Sequence, residues 1–213
     1  METPKTLRNK KLGAKTVQAL KNRFFEAWYF DEIAQALDKV IELVPKDHTV
    51  SWGGSLTLGE TGIKERLALE GYKVIDREKA QDPQERYEIQ RQALLCDTFL
   101  TGCNAISEDG QLVNIDGFGN RVAAMIFGPR QVIILAGMNK IAKTLNDALI
   151  RARNTAAPLN VQRFPNCKTP CSESGSCADC LSPDSICSYF VTTRICKPAG
   201  RIKVILIGKD LGL

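Results

Sequence analysis

The sequence predicts an α/β domain built on a mostly parallel sheet with helices on both faces. Segments of helical and strand-like character alternate along the chain, the pattern of a sheet wrapped by helices. Val132-Ile133-Ile134-Leu135 is an unbroken apolar run and Ile202–Ile207 is apolar but for Lys203, as expected of strands buried on both sides. The 213 residues are 44% hydrophobic and 25% charged, ordinary globular values that suit one domain with a sizeable core.

Residues 1–45 read as an N-terminal helical segment. A first helix is expected over 6–30, with Leu7, Leu12, Val17, Leu20, Phe24 and Phe25 on its apolar side and the aromatic group to Phe30 packed in the core. Asp31 is the expected N-cap of a second helix that carries Ile33, Leu37, Val40, Ile41 and Val44 and stops at Pro45. Arg8, Lys10, Lys11, Lys15, Lys21 and Arg23 account for part of the net charge of +5. They are too dispersed for a nucleic-acid surface and read as a solvated helix face.

The α/β core is expected over 46–160. A strand at 48–52 runs into Gly53-Gly54-Ser55, a helix covers 57–70, and Tyr72–Ile75 is a short strand. Asp82-Pro83 opens a helix over 82–95. Short strands follow at Thr98–Thr101, Leu112–Ile115, Ala123–Phe127 and Val132–Ala136, separated by glycine-rich turns. A helix from Asn139 to about Ala156 should stop at Pro158, and 199–213 carries the final strand and tail.

Residues 161–198 are different in kind, and the last strand makes them an excursion from the sheet. Six of the eight cysteines lie there, spaced Cys167-x3-Cys171-x5-Cys177-x2-Cys180-x6-Cys187-x8-Cys196. No stretch is long enough to span a membrane and the N-terminus lacks an apolar leader, so a cytoplasmic setting with reduced thiols is expected. Metal ligation is then a better account of the cysteines than disulfides. The intervals are filled by Ser, Gly and Pro, so a bound metal would supply the order that a core of their own cannot. His48 is the sole histidine and lies far off in sequence, which points to an all-thiolate site. An iron–sulfur cluster, of the 4Fe–4S type, accommodates wide ligand spacing; structural zinc is the alternative, although only one Cys-x-x-Cys knuckle is present. Cys171, Cys177, Cys180 and Cys187 are the expected ligands, with Cys167 and Cys196 as substitutes and Cys96 and Cys103 as core residues.

Two polar groups suggest a ligand pocket for an anionic small molecule, a carboxylate or phosphate. Gly53, Gly54 and Ser55 lie between a strand and a helix, where backbone N–H groups can converge on an anion, though a plain tight turn would look the same. Glu60 complements the start of the helix that follows. Asn104, Glu108, Asn114, Asp116, Asn120 and Arg121 crowd around short strands. Asp116 or Glu108 could move a proton and Arg121 could clamp an anion; Asx-turns and an ion pair are the plainer account. Lys140 follows a strand, a favoured place for ligand contact in open α/β sheets. No Ser–His–Asp arrangement, G-x-G-x-x-G or Walker loop is present.

These segments resemble those of the LUD (lactate-utilisation) domain proteins. Gly53-Gly54-Ser55-Leu56-Thr57-Leu58, with Glu60 and Gly62-Ile63, resembles the first motif. Thr101-Gly102, Asn104-Ala105-Ile106, Asp109-Gly110, Leu112–Gly117 and Gly119–Ala123 look like the central one. Phe127-Gly128-Pro129, Val132-Ile133, Gly137 and Asn139-Lys140-Ile141 extend the match, and the tail from Lys168 through Cys187 resembles short cysteine-bearing members. The resemblance implies a single domain over 1–213 with a fold like that of the isomerase, CoA-transferase and formyltetrahydrofolate cyclo-ligase group, whose members handle anionic small molecules. It also implies work beside iron–sulfur partner proteins in oxidising lactate to pyruvate. A small-molecule isomerase or transferase with a structural metal is the competing expectation.

Overall fold

Strand β7 (Gln131–Gly137) divides its side chains between two apolar layers: Val132, Ile134 and Ala136 enter one, Ile133 and Leu135 the other. Strand β10 (Ile202–Ile207) does the same with Val204 and Leu206 against Ile205 and Ile207. A strand buried on both faces must lie inside a covered sheet. The computed structural model, which describes residues 2–213, shows that sheet. Its order is β1-β10-β7-β4-β2-β3, with β1 at Glu26–Phe30, β2 at Thr49–Trp52, β3 at Lys73–Ile75 and β4 at Thr98–Thr101, and every pairing is parallel. Helix α1 (Pro4–Asn22) contributes Leu20 to one layer, and α2 (Ile33–Leu43), α3 (Leu56–Thr61) and α4 (Ile63–Leu69) supply Val40, Leu58, Ile63 and Leu67 to the other. Among the described residues, no helix is long and apolar enough to cross a membrane.

The aromatic group falls on a strand, not on the expected first helix. Helix α1 ends at Asn22, and Phe24 takes a positive φ of 64° that breaks it. Beyond that point Phe25, Ala27 and Tyr29 join one layer while Trp28 and Phe30 join the other, a strand period of two. Asp31 does not cap α2 either; Glu32 holds that position, and Asp31 accepts from the Tyr29 hydroxyl at 3.0 Å. The expected helix at 57–70 is two helices joined at Gly62, whose φ of 73° suits glycine.

A second, smaller sheet was not foreseen. Its order is β8-β5-β6-β9, from β5 (Ala105–Ser107), β6 (Leu112–Asp116), β8 (Ile141–Ala142) and β9 (Tyr189–Thr193). Helix α5 (Pro83–Gln92) precedes β4, and α6 (Asn120–Ile126) replaces the strand expected at Ala123–Phe127. Arg121, Ala123, Ala124 and Met125 are good helix formers, and Gly119 at φ 80° opens the turn. Helix α7 (Leu145–Arg151) starts at a Thr144–Asp147 capping box and continues through a π-helical turn, Ala152–Ala156, into α8 (Ala157–Val161). The π turn precedes Pro158, whose missing N–H and ring are incompatible with regular α hydrogen bonding, so the helix survives the proline. The cysteine segment holds α9 (Pro170–Ser174) and then returns β9 to pair antiparallel with β6, so it is partly woven into the fold.

Close packing of α1 on β1 gives a first prediction. A Cβ at Gly13 would stand 2.2 Å from Cδ2 of Tyr29. Gly→Ala inside a helix ordinarily gains roughly 1 kcal/mol from propensity. Overpacking costs about 1–3 kcal/mol, so Gly13→Ala should lower the midpoint of thermal unfolding followed by circular dichroism.

Candidate functional site

A cleft of about 660 Å³ opens beyond the carboxyl ends of β2 and β4. That is the usual ligand side of an open parallel sheet. Gly54, Ser55, Gly102, Asn104, Asp116, Asn120, Arg121 and Lys140 all line it. Its opposite wall comes from the cysteine segment through Cys167, Asp184 and Ile186. Gly53 lies just behind the lining, where a Cβ would press 2.9 Å from Cγ of Arg121. Glu60 is also outside it and accepts from the Gly212 backbone N–H at 2.6 Å. Glu108 belongs to another surface, bonded to Lys15 at 2.5 Å and Lys143 at 3.0 Å. The Lys15 hydrogen bond leads in holding its carboxyl below the usual range, so Glu108 is neither in the cleft nor suited to carry a proton at neutral pH.

Arg121 is the hub of the floor. Its Nη1 donates to Gly102 O at 3.2 Å and Asn114 Oδ1 at 2.7 Å; its Nη2 donates to Asn104 Oδ1 at 3.1 Å and Ile115 O at 2.7 Å. Its Nε faces Asp116 Oδ2 at 3.3 Å. All four terminal N–H groups are thus engaged by the protein, and Arg121 holds the walls together instead of offering a fork to a ligand. Asp116 Oδ1 accepts from Gly119 N at 3.0 Å, an Asx-turn. The plainer account of this cluster, Asx-turn plus ion pair, is what the residues form. Even so, Asp116 Oδ2 and Asn114 Nδ2 are sealed from solvent without a hydrogen-bond partner among the described residues.

Lys140 is 4% exposed and donates to Thr57 Oγ1 at 2.9 Å. Burial pushes its pKa down, opposed by the neighbouring Cys103. Cys103 lines the cleft as well, and burial raises its thiol pKa against the pull of Lys140, Arg121 and Arg151. Sequence reasoning missed Arg77, Arg86 and Arg163, which also line the cleft. Their only signal was charge on segments read as ordinary surface.

All eight cysteines are free thiols. Cys96 and Cys103 lie in the core, as does Cys196, whose Sγ accepts from Ile202 N at 3.3 Å; Cys196 is therefore no substitute ligand. Burial pushes Cys187 up to about 11, and the thiols of Cys171, Cys177 and Cys180 add to that rise. Cys167 feels Cys171 and Cys180 but donates its Sγ–H to Asp184 O at 3.1 Å. Arg153 sits beside them, its pKa raised chiefly by a hydrogen bond with Cys177, then by Asp179. Among the described residues no three His, Cys, Asp or Glu side chains stand at metal-holding distance. The donor types are those of a soft metal centre, with four thiols on one Ser/Gly-rich segment and Arg153 beside Cys177.

The LUD domain family profile matches residues 13–207. A DUF162 family protein from Deinococcus radiodurans superposes with a TM-score of 0.54 at 12% identity, covering 93% of this chain and 98% of that one. Ribose 5-phosphate isomerase A from Neisseria gonorrhoeae gives a TM-score of 0.35 at 16% identity, covering 53% of this chain and 54% of its own. 5-Methylthioribose 1-phosphate isomerase from Pyrococcus horikoshii gives 0.36 at 14% identity, covering 75% and 50%. No curated protein sequence matches.

Proposed function

This chain belongs to the LUD domain family, and on that premise we propose an accessory, electron-transferring role in the oxidation of lactate or a related 2-hydroxy acid. Cys171, Cys177, Cys180 and Cys187 would hold an iron–sulfur cluster, and the basic cleft would take the anionic carboxylate. The observation that supports this reading is the shared wall: the segment that carries the four cysteines also lines the cleft through Cys167, Asp184 and Ile186. When bound, such a cluster supplies one-electron transfer. Iron–sulfur proteins of the same oxidation are the natural partners.

Protein purified without oxygen and reconstituted with ferrous iron and sulfide should turn brown and carry iron and labile sulfide in equal amounts. A colourless protein with stoichiometric zinc would overturn the electron-transfer role. It would favour the second reading, an isomerase or transferase with a structural metal. For that reading Asp116, which lines the cleft and whose sealed Oδ2 has no hydrogen-bond partner among the described residues, would move the proton. Asp116→Asn would then abolish turnover while leaving the metal in place.

A further inference from the structure

Arg77 opens a short 3₁₀ turn, Arg77–Lys79, immediately after β3, with Asp76 capping it through Glu78 N at 2.9 Å. The turn brings the guanidinium onto the glycine loop: a Cβ at Gly54 would stand 2.5 Å from Arg77 Nη2. Yet among the described residues the side chain of this arginine has no partner. Its Nε is sealed from solvent without a hydrogen bond, and among the described residues its guanidinium makes no ion pair. The nearby carboxylates are committed elsewhere, Glu78 to Lys64 at 2.6 Å and Asp116 to Arg121 and Gly119. Arg86 and Arg121 add charge of the same sign, and burial leads in lowering the Arg77 pKa. The other cleft cations each have a hydrogen-bond partner: Arg121 is saturated, Lys140 holds Thr57, Arg163 holds Asn160 at 3.1 Å, and Arg86 donates to Arg77 O at 3.3 Å.

We propose that Arg77, seated against Gly54, is the residue that clamps the oxyanion end of the cleft's ligand, a carboxylate or a phosphate. This rests on reading the cleft as an anion site. A part-buried cation without a counter-charge is unfavourable, and an arriving anion relieves it. The planar guanidinium offers a two-pronged donor that matches two oxygens of one group. Glycine at 54 is then required for the approach, since a side chain would displace the guanidinium.

The test is calorimetric titration and thermal melting of the full chain with sodium pyruvate and with inorganic phosphate, which separate the two oxyanion sources. The wild type should bind at least one of them. Arg77→Gln should weaken that binding at least tenfold, Arg77→Lys by less, and Gly54→Ala should act in the same direction as Arg77→Gln. In anion-free buffer Arg77→Gln should melt no lower than the wild type, because an uncompensated charge has been removed. The assignment fails if Arg77→Gln binds the probe as the wild type does, if the wild type binds neither probe, or if Arg77→Gln melts several degrees lower without anion. Iron and labile sulfide, measured on the same preparations, should not respond to Arg77. Their absence with anion binding intact would therefore sink the cluster alone.

Discussion

Replacing any one of Cys171, Cys177, Cys180 or Cys187 by serine should remove the visible iron–sulfur absorbance and most of the iron, whereas Cys196→Ser should leave both in place. A cluster requires thiolate from each ligand position, and a serine oxygen is a poor substitute for a soft metal. Cys196 is excluded by its position, 2% exposed in the core with its Sγ bonded to Pro198 O and Ile202 N. Cys167 stands nearer, beside Cys171 and Cys180, but its Sγ is directed at Asp184 O. Cys167→Ser should accordingly retain iron. Iron and sulfide analysis of each variant, with electron paramagnetic resonance after dithionite reduction, reads the outcome. Full iron in Cys171→Ser together with loss in Cys167→Ser would move the ligand set by one position.

The expected effect extends beyond the metal. Between α9 and β9 the loop has few apolar groups: Leu181 is 99% exposed, and Cys187 is the residue that packs against the small cluster under the second sheet. Crosslinking by the cluster would then supply much of the loop's order. Limited proteolysis should cut 175–186 faster in the four variants than in the loaded protein.

How much of this was legible depends on which forces act locally. The parallel sheet was, because Val132–Leu135 and Ile202–Ile207 carry their double burial in composition alone. The aromatic strand at Glu26–Phe30 was not, because a basic amphipathic helix runs directly into it and the break at Phe24 needs a positive φ that no glycine announces. Ala105–Ser107 is three residues long, and only its pairing with β6 and β8 makes it a strand. At the site, the residue types were visible but their allegiances were not. Arg121 and Glu108 look equally free in the sequence; distant partners, Gly102 and Ile115 for one and Lys15 and Lys143 for the other, decide what each does. Arg77 is the converse case, a surface-like arginine that the fold turns inward and whose side chain has no partner among the described residues.

That contrast leads to the second large effect. Arg121→Met should destabilise the protein by about 3–5 kcal/mol, the usual consequence of removing one partner from a buried ion pair. The side chain of Arg121 is 11% exposed and that of Asp116 is 7% exposed, so water cannot replace what is lost. Gly102 O, Ile115 O, Asn104 Oδ1 and Asn114 Oδ1 would each lose a donor at once, and Asp116 its counter-charge. Arg121→Lys restores the charge, but a compact ammonium cannot span acceptors on the β4–β5 connection and on β6, so it should recover only part of the loss. Asp116→Asn should be milder, because an amide oxygen can still accept from Gly119 N. Urea unfolding would measure these differences, and coupling between Arg121→Met and Asp116→Asn should appear as marked non-additivity. A loss below about 1 kcal/mol for Arg121→Met would mean that the hub is not structural. If the hub is structural, Arg121→Met should weaken anion binding only together with stability, because it loosens the cleft floor. Arg77→Gln should weaken binding with stability kept, and that difference separates a residue that builds the cleft from one that uses it.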